Sequence, residues 1–119
     1  MRFSLLLFVL YRVLKRASRK NEAFKKYLGS IHAVKILIKT ADGKRGRLFI
    51  FDRGDVQSLG GADHACDAAI VWADARTGFQ VMSSRSDAKQ FEAAAQGKMR
   101  LDGMAYFAQW FNDGVKLVL

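Results

Sequence analysis

The sequence predicts an α+β domain, and three observations carry that expectation. Residues 3–28 repeat apolar side chains at helical spacing, whereas 31–40 alternates as a strand and 45–52, after an Asp-Gly turn, returns as a second. Residues 91–107 read as helix, strand, helix. Phe91 to Gln96 ends an Ala-rich helix that Gly97 stops, Lys98 to Asp102 alternates with Met99 and Leu101 on one side, and beyond Gly103 the residues Met104, Phe107, Ala108 and Phe111 recur at helical spacing. Both helices must then cover one sheet, and such an arrangement can enclose a volume lined by Met, Phe and Trp. Finally, 119 residues that are 50% hydrophobic suit one core, with no proline and no linker-like tract to divide it. The expected organisation is a single domain over 1–119, with 1–29 as a basic amphipathic helix and 30–119 as the sheet and its covering helices.

The formal net charge is +9, unevenly placed. Through Arg53, fourteen Lys and Arg face three acids, Glu22, Asp42 and Asp52; beyond it, six bases face eight acids. A front half this basic suggests an anionic partner, either a membrane surface, a nucleic acid or an acidic protein. The single cysteine, Cys66, excludes an internal disulfide framework and fits a reducing compartment. A cytoplasmic location is expected, with peripheral attachment to the inner face of a membrane.

Taken in order, Phe3, Leu6, Leu7, Leu10, Val13, Leu14, Ala17, Phe24 and Leu28 share one arc of a helical wheel, and Arg12, Lys15, Arg16, Arg19 and Lys26 share the opposite arc. One long helix over 3–28 is expected, bent near Asn21 and ended at Gly29. Leu5, Phe8 and Val9 lie on the basic side, so the first turns are apolar all round. A secretory signal would need a small-x-small cleavage site, and Arg12-Val13-Leu14-Lys15-Arg16 follows instead. A membrane span needs about 20 apolar residues, and this run is shorter. An interfacial helix fits best, with Leu5, Phe8 and Val9 in lipid and Arg12, Lys15, Arg16 and Arg19 at anionic headgroups. The competing reading is a face for self-association or core packing.

Val34, Ile36 and Ile38 alternate with Lys35, Leu37 and Lys39 in the first strand, and Asp42-Gly43 turns the chain. The returning strand, with Leu48-Phe49-Ile50-Phe51, is apolar on both faces, which predicts cover on both. Arg53-Gly54-Asp55, an integrin-type tripeptide, is read as a turn only. Residues 56–66 look irregular around Gly60-Gly61. Residues 67–74 form a further strand, 75–84 a short helix presenting Phe79 and Met82, and Ser86 or Asp87 caps the next helix. Val115, Leu117 and Leu119 alternate, which suggests a terminal tail or short strand.

The catalytic inventory is thin. Asp63, His64, Cys66 and Asp67 lack the spaced pairs of a zinc site, and no metal is expected. Cys66 with His64 as base would need a favourable turn, because near neighbours on a strand do not face each other. No nucleophile elbow or phosphate-cradling glycine loop is present, and Asp52, Asp55, Asp63 and Asp67 read as solvated acids around turns. No enzymatic activity, catalytic residue or cofactor is expected. Lys35, Lys39, Lys44, Arg45 and Arg47 cluster on one hairpin without aromatics for base stacking, which disfavours nucleic acid.

The order strand, turn, strand, loop, then Asp67-Ala68-Ala69-Ile70-Val71-Trp72-Ala73, two helices, and Gly97-Lys98-Met99-Arg100-Leu101-Asp102-Gly103, resembles the sterol carrier protein type 2 (SCP2) lipid-binding domains over roughly residues 20 to 115. The chain differs from that pattern at Met104, where an acid or amide is common, in having no proline before its second helix, and in its longer, more basic N-terminal helix. The resemblance implies a five-stranded, mostly antiparallel sheet covered by helices. It also implies a non-enzymatic role in binding or transferring a hydrophobic ligand: a lipid, fatty acyl chain, sterol-like molecule or isoprenoid quinone. Bacterial relatives include accessory proteins of ubiquinone biosynthesis. On this reading Phe49, Phe51, Ile70, Trp72, Phe79, Met82, Phe91, Met99, Leu101, Met104, Phe107 and Phe111 are the candidate lining of a cavity between sheet and helices. The alternative is an accessory subunit with a self-filled core that forms homo-oligomers through its N-terminal helix.

Overall fold

In the computed structural model, which describes residues 2–29 and 33–119, the N-terminal periodicity resolves into two helices, α1 (Arg2–Lys20) and α2 (Glu22–Gly29). Phe3, Leu7, Leu10, Leu14 and Ala17 form the buried stripe of α1, and Phe24 and Leu28 continue it on α2. The break is chemical. Asn21 Oδ1 accepts the Phe24 N–H at 3.1 Å and so caps α2, while its Nδ2 donates to the Leu117 carbonyl at 3.1 Å. Of the expected first strand, Ile31 lies outside the described residues, as does His32.

The sheet has five strands in the order β3-β2-β1-β4-β5: β1 (Ala33–Thr40), β2 (Gly46–Asp52), β3 (Asp55–Gly60), β4 (Ala68–Trp72) and β5 (Met99–Gly103). β1 and β4 run parallel, and the other three pairs are antiparallel. The remaining helices are α3 (Ala75–Ser84), α4 (Asp87–Ala95) and α5 (Ala105–Lys116). α1, α2, α4 and α5 bury side chains in one cluster with Val34, Ile36, Ile38, Phe49, Phe51, Val56, Ile70, Trp72 and Met99, the residues on a single face of the sheet, and α3 packs the partly buried Phe79, Val81 and Met82 against it.

Two expectations are corrected. Residues 55–60 form a strand, not an irregular segment. Arg53 and Gly54 both take positive φ, 51° and 85°, giving the two-residue hairpin turn whose twist matches its strands. β3 is an edge strand, and its core-side positions beyond Val56 are Ser58 and Gly60, so the apolar alternation that marks a strand is lost. The expected terminal tail is instead the end of α5, which continues through Gly114 to Lys116. Gly114 serves there as a contact, because a Cβ would lie 2.9 Å from the Tyr27 ring.

The second face of β2 is covered as expected, though by no helix. β3 and β4 both run parallel to β1 on either side of the β1–β2 pair, so residues 61–67 must recross the sheet. Ala62 lies where a Gly46 Cβ would touch it at 3.0 Å, and the Cys66 thiol feels the charges of Lys39 and Asp102. Beneath this strap Leu37, Leu48, Ala69 and Val71 form a small buried cluster. Asp67 ends it by accepting the Lys35 N–H on its carboxylate at 2.7 Å.

Local signals hold up in the second half. Asp74 caps α3 by accepting the Thr77 N–H at 2.7 Å, and Ser86 caps α4 by accepting the Lys89 N–H at 3.2 Å. Gly78 is buried where α3 crosses α1, and a Cβ there would lie 2.7 Å from the Phe3 ring and 3.0 Å from Trp72. Gly78→Val is therefore expected to cost about 1–3 kcal/mol of stability by overpacking, read as a lower thermal midpoint, whereas Gly43→Ala in the open β1–β2 turn bears only its positive φ.

Three carboxyls are held below their ordinary pKa of 3.8: Asp42 by the Thr40 hydroxyl and Lys44 N–H, Asp55 by Lys15 and Gln57, and Asp74 by Thr77. The unfolded chain therefore binds more protons in acid. The stabilisation is complete above the ordinary value and is lost as pH falls through the depressed ones. Thermal midpoints are expected to fall on acidification below about pH 4, less steeply in Asp74→Asn.

Candidate ligand cavity

A cavity of about 380 Å³ lies over β4 where α1, α3, α4 and α5 converge. Its apolar wall is Leu6 and Leu10 of α1, Ile70 and Trp72 of β4, Val81 and Met82 of α3, Phe111 and Val115 of α5, and Leu119. From α4 only Asp87 and Gln90 reach this space, and the helix buries only Ala93. Trp72 is 1% exposed, and its indole N–H has no hydrogen-bond partner among the described residues.

The polar residues gather at one end. Arg85, Ser86, Asp87 and Gln90 come from the α3–α4 corner, and Asn112 and Lys116 from α5. Arg85 makes that corner by adopting φ 54°, a left-handed cap whose N–H donates to the Met82 carbonyl. Lys116 Nζ lies 2.7 Å from Asp87 Oδ2 and ties the end of α5 to the start of α4. That hydrogen bond raises the Lys116 pKa, and Asp87 sits in the first turn of α4, where a negative charge is favoured. A groove of about 200 Å³ continues beyond this pair and shares Asp87, Gln90, Asn112 and Lys116 with the cavity; Phe91, Ala94, Met99 and Leu101 line its apolar side. The whole is amphipathic, with an apolar chamber, a polar mouth and a shallower apolar groove. It suits a molecule with an apolar body and a hydrogen-bonding end.

Of the twelve residues expected to line a cavity, Ile70, Trp72, Met82 and Phe111 do so, and Phe91, Met99 and Leu101 line the groove. Phe49 and Phe51 lie behind Phe111 as core, at ring distances of 5.5 and 5.8 Å, and the seam between α2 and α5 is closed by Tyr27 stacked on Trp110 at 5.4 Å. Phe79 packs against the core under the Arg2 guanidinium, Phe107 is half-buried, and Met104 is exposed. Sequence reasoning did not place Leu6, Leu10, Val81, Val115 or Leu119 at the cavity, nor its polar rim. The apolar arc of α1 contains the first two, but nothing in the arc separates positions over a void from positions over the sheet.

On α1, Leu5, Phe8 and Val9 are exposed at 62%, 43% and 47%, as are Arg12, Arg16 and Arg19. Lys15 is instead committed to Asp55 of β3 at 2.8 Å. The β1–β2 hairpin adds cations to the same end of the molecule: Arg47 stacks over the Phe8 ring at 5.3 Å, and Arg45 donates to the Ser4 hydroxyl at 3.4 Å. Elsewhere, His64 Nε2 donates to the Gly60 carbonyl at 2.8 Å, and burial pushes the Cys66 thiol up, away from the reactive thiolate. Among the described residues no helix is long and apolar enough to cross a membrane.

No protein-family model matches the chain, and no curated protein sequence matches it significantly. Solved structures do, and they define the class: the fold is that of the SCP2 domains, an α+β architecture with five strands and a leading helix. A ubiquinone synthesis protein, UbiJ-SCP2, superimposes with a TM-score of 0.70 at 14% identity, over 96% of this chain and 91% of that one. Sterol carrier protein 2 follows at 0.59 and 18%, over 92% and 93%. The sec-alkylsulfatase Pisa1 from Pseudomonas sp. contains a similar unit (0.55, 18%), but this chain spans only 14% of that enzyme's length.

Proposed function

We propose that the domain is a non-enzymatic binder and carrier of a hydrophobic molecule with one polar end, held in the chamber over β4. The observation that carries this reading is the cavity of about 380 Å³ whose wall is apolar and whose polar residues stand at a single mouth. Affinity comes from apolar surface removed from water, about 25 cal/mol per Å², and Asn112, Gln90, Ser86 and Arg85 supply hydrogen bonds to the polar end. The SCP2 fold favours a lipid, and the resemblance to a ubiquinone synthesis protein favours an isoprenoid quinone or a related chain among lipids. α1 is the wall between this chamber and the exposed Leu5, Phe8 and Val9. Its face, ringed by Arg12, Arg16, Arg45 and Arg47, docks the domain on an anionic membrane from which the ligand is drawn or to which it is delivered.

The direct test is native mass spectrometry of the protein purified from its own host, followed by organic extraction. A co-purifying lipid or quinone names the ligand class. A protein that emerges empty and also ignores added fatty acids, sterols and quinones overturns the carrier reading.

A further inference from the structure

The sheet ends at β5, and that edge is self-complementary. The Ala73 N–H donates to the Lys98 carbonyl and the Met104 N–H to the Asp67 carbonyl, so the backbone groups of 98, 100, 102 and 104 face β4. Those of Met99, Leu101 and Gly103 therefore face outward, and the sheet has no further strand among the described residues to receive them. Exposed apolar side chains gather beside this edge: Phe91 at 74%, Leu101 at 43%, Met104 at 58% and Tyr106 at 69%. An edge with free backbone groups and apolar flanks is a template for another strand.

We propose that β5 pairs with β5 of a second copy of this chain about a two-fold axis through Leu101, joining two sheets into one of ten strands. The charge pattern selects both the occupant and the register. Centred on Leu101, the pairing sets Arg100 of each chain opposite Asp102 of the other, in the close, non-hydrogen-bonded position where side chains interact most strongly. A slip of two residues would oppose Arg100 to itself or Asp102 to itself. Within one chain Arg100 Nε already lies 3.0 Å from Asp102 Oδ1, so the dimer closes an alternating ring of four charges. On the helical side Leu101 meets its own copy. The antiparallel register also brings the Met104 and Tyr106 end of one chain to the Phe91 side of the other, which roofs the groove continuing from the cavity. The face of α1 is a poorer self-partner, because a second copy would set its cluster of Arg12, Arg16 and Arg47 against the same cations. The inference stands on the β5 edge and does not depend on the ligand.

Sedimentation velocity from low micromolar concentration upward tests it, with circular dichroism as the check on folding. The wild-type chain is expected to form a concentration-dependent dimer. Arg100→Asp turns two attractive pairs into repulsive ones and should weaken the dimer about tenfold. Arg100→Asp with Asp102→Arg restores the opposition and should restore the dimer, and Leu5→Asp with Phe8→Asp should leave it unchanged. A chain that stays monomeric at every concentration overturns the proposal. So does a dimer indifferent to Arg100→Asp, or one lost on changing Leu5 and Phe8.

Discussion

Val81→Trp is expected to abolish most ligand binding while leaving the domain folded. Val81 lies on α3, half-buried, on the wall of the chamber and away from the groove. An indole there projects into existing space, so the overpacking that makes Gly78→Val harmful does not arise. Displacing about 100 Å² of ligand contact would remove about 2.5 kcal/mol, roughly a 70-fold rise in Kd. Titration with a fluorescent long-chain fatty acid, alongside a thermal melt, checks it. An unchanged Kd with the fold intact would place the ligand somewhere other than this chamber. A matching change at Phe49, such as Phe49→Leu, should act on stability instead, because Phe49 is fully buried behind Phe111 and touches no cavity.

Leu5→Ser with Phe8→Ser is expected to release the protein from anionic vesicles. Both side chains are exposed on α1, so the substitutions cost the fold little. Full burial of one such residue is worth about 1.5–3 kcal/mol. Even at half depth, the loss of two approaches a 100-fold fall in partitioning. Arg12→Gln with Arg16→Gln should weaken binding by about 1 kcal/mol each, and that part alone should disappear in high salt or on neutral vesicles. Co-sedimentation with phosphatidylglycerol vesicles and with phosphatidylcholine vesicles separates the two contributions. Undiminished binding by the Leu5/Phe8 variant would remove α1 from the docking role. Lys15→Gln is a useful contrast, because its ammonium is held by Asp55 and its loss should be felt more by stability than by vesicles.

The elements best read from sequence were those with chemistry written into their ends. α4 begins at Ser86, an oxygen-bearing residue that satisfies a first free N–H group, and stops at Gly97 with φ 73°, whereas Asp74, expected at the end of the preceding strand, is the cap of α3. The helix-facing sides of β1 and β5 were legible because side chains on a strand alternate between its two faces, which sets Val34, Ile36 and Ile38, and Met99 and Leu101, on one side. β3 was missed because its edge position asks for little burial and its turn begins with Arg53, not the usual Asn or Asp. The end of α5 was misread because Val115, Leu117 and Leu119 alternate, whereas Gly114 makes room for Tyr27 inside the helix. The break at Asn21 was placed, though its cause, a bond to Leu117 across 96 residues, was not.

The candidate site divides along the same line. Periodicity indicated the α+β class, and composition showed a chain cationic in front, rich in soft apolar side chains and poor in catalytic ones. Which of those side chains surround empty space was decided by tertiary structure. Phe49 and Phe111 have the same residue type and the same sidedness, yet Phe111 lines the chamber while Phe49 is core. A cavity is a shortfall of volume among several elements, here α1, β4, α3, α4 and α5, and periodicity reports the face a residue turns to, not the space it finds there.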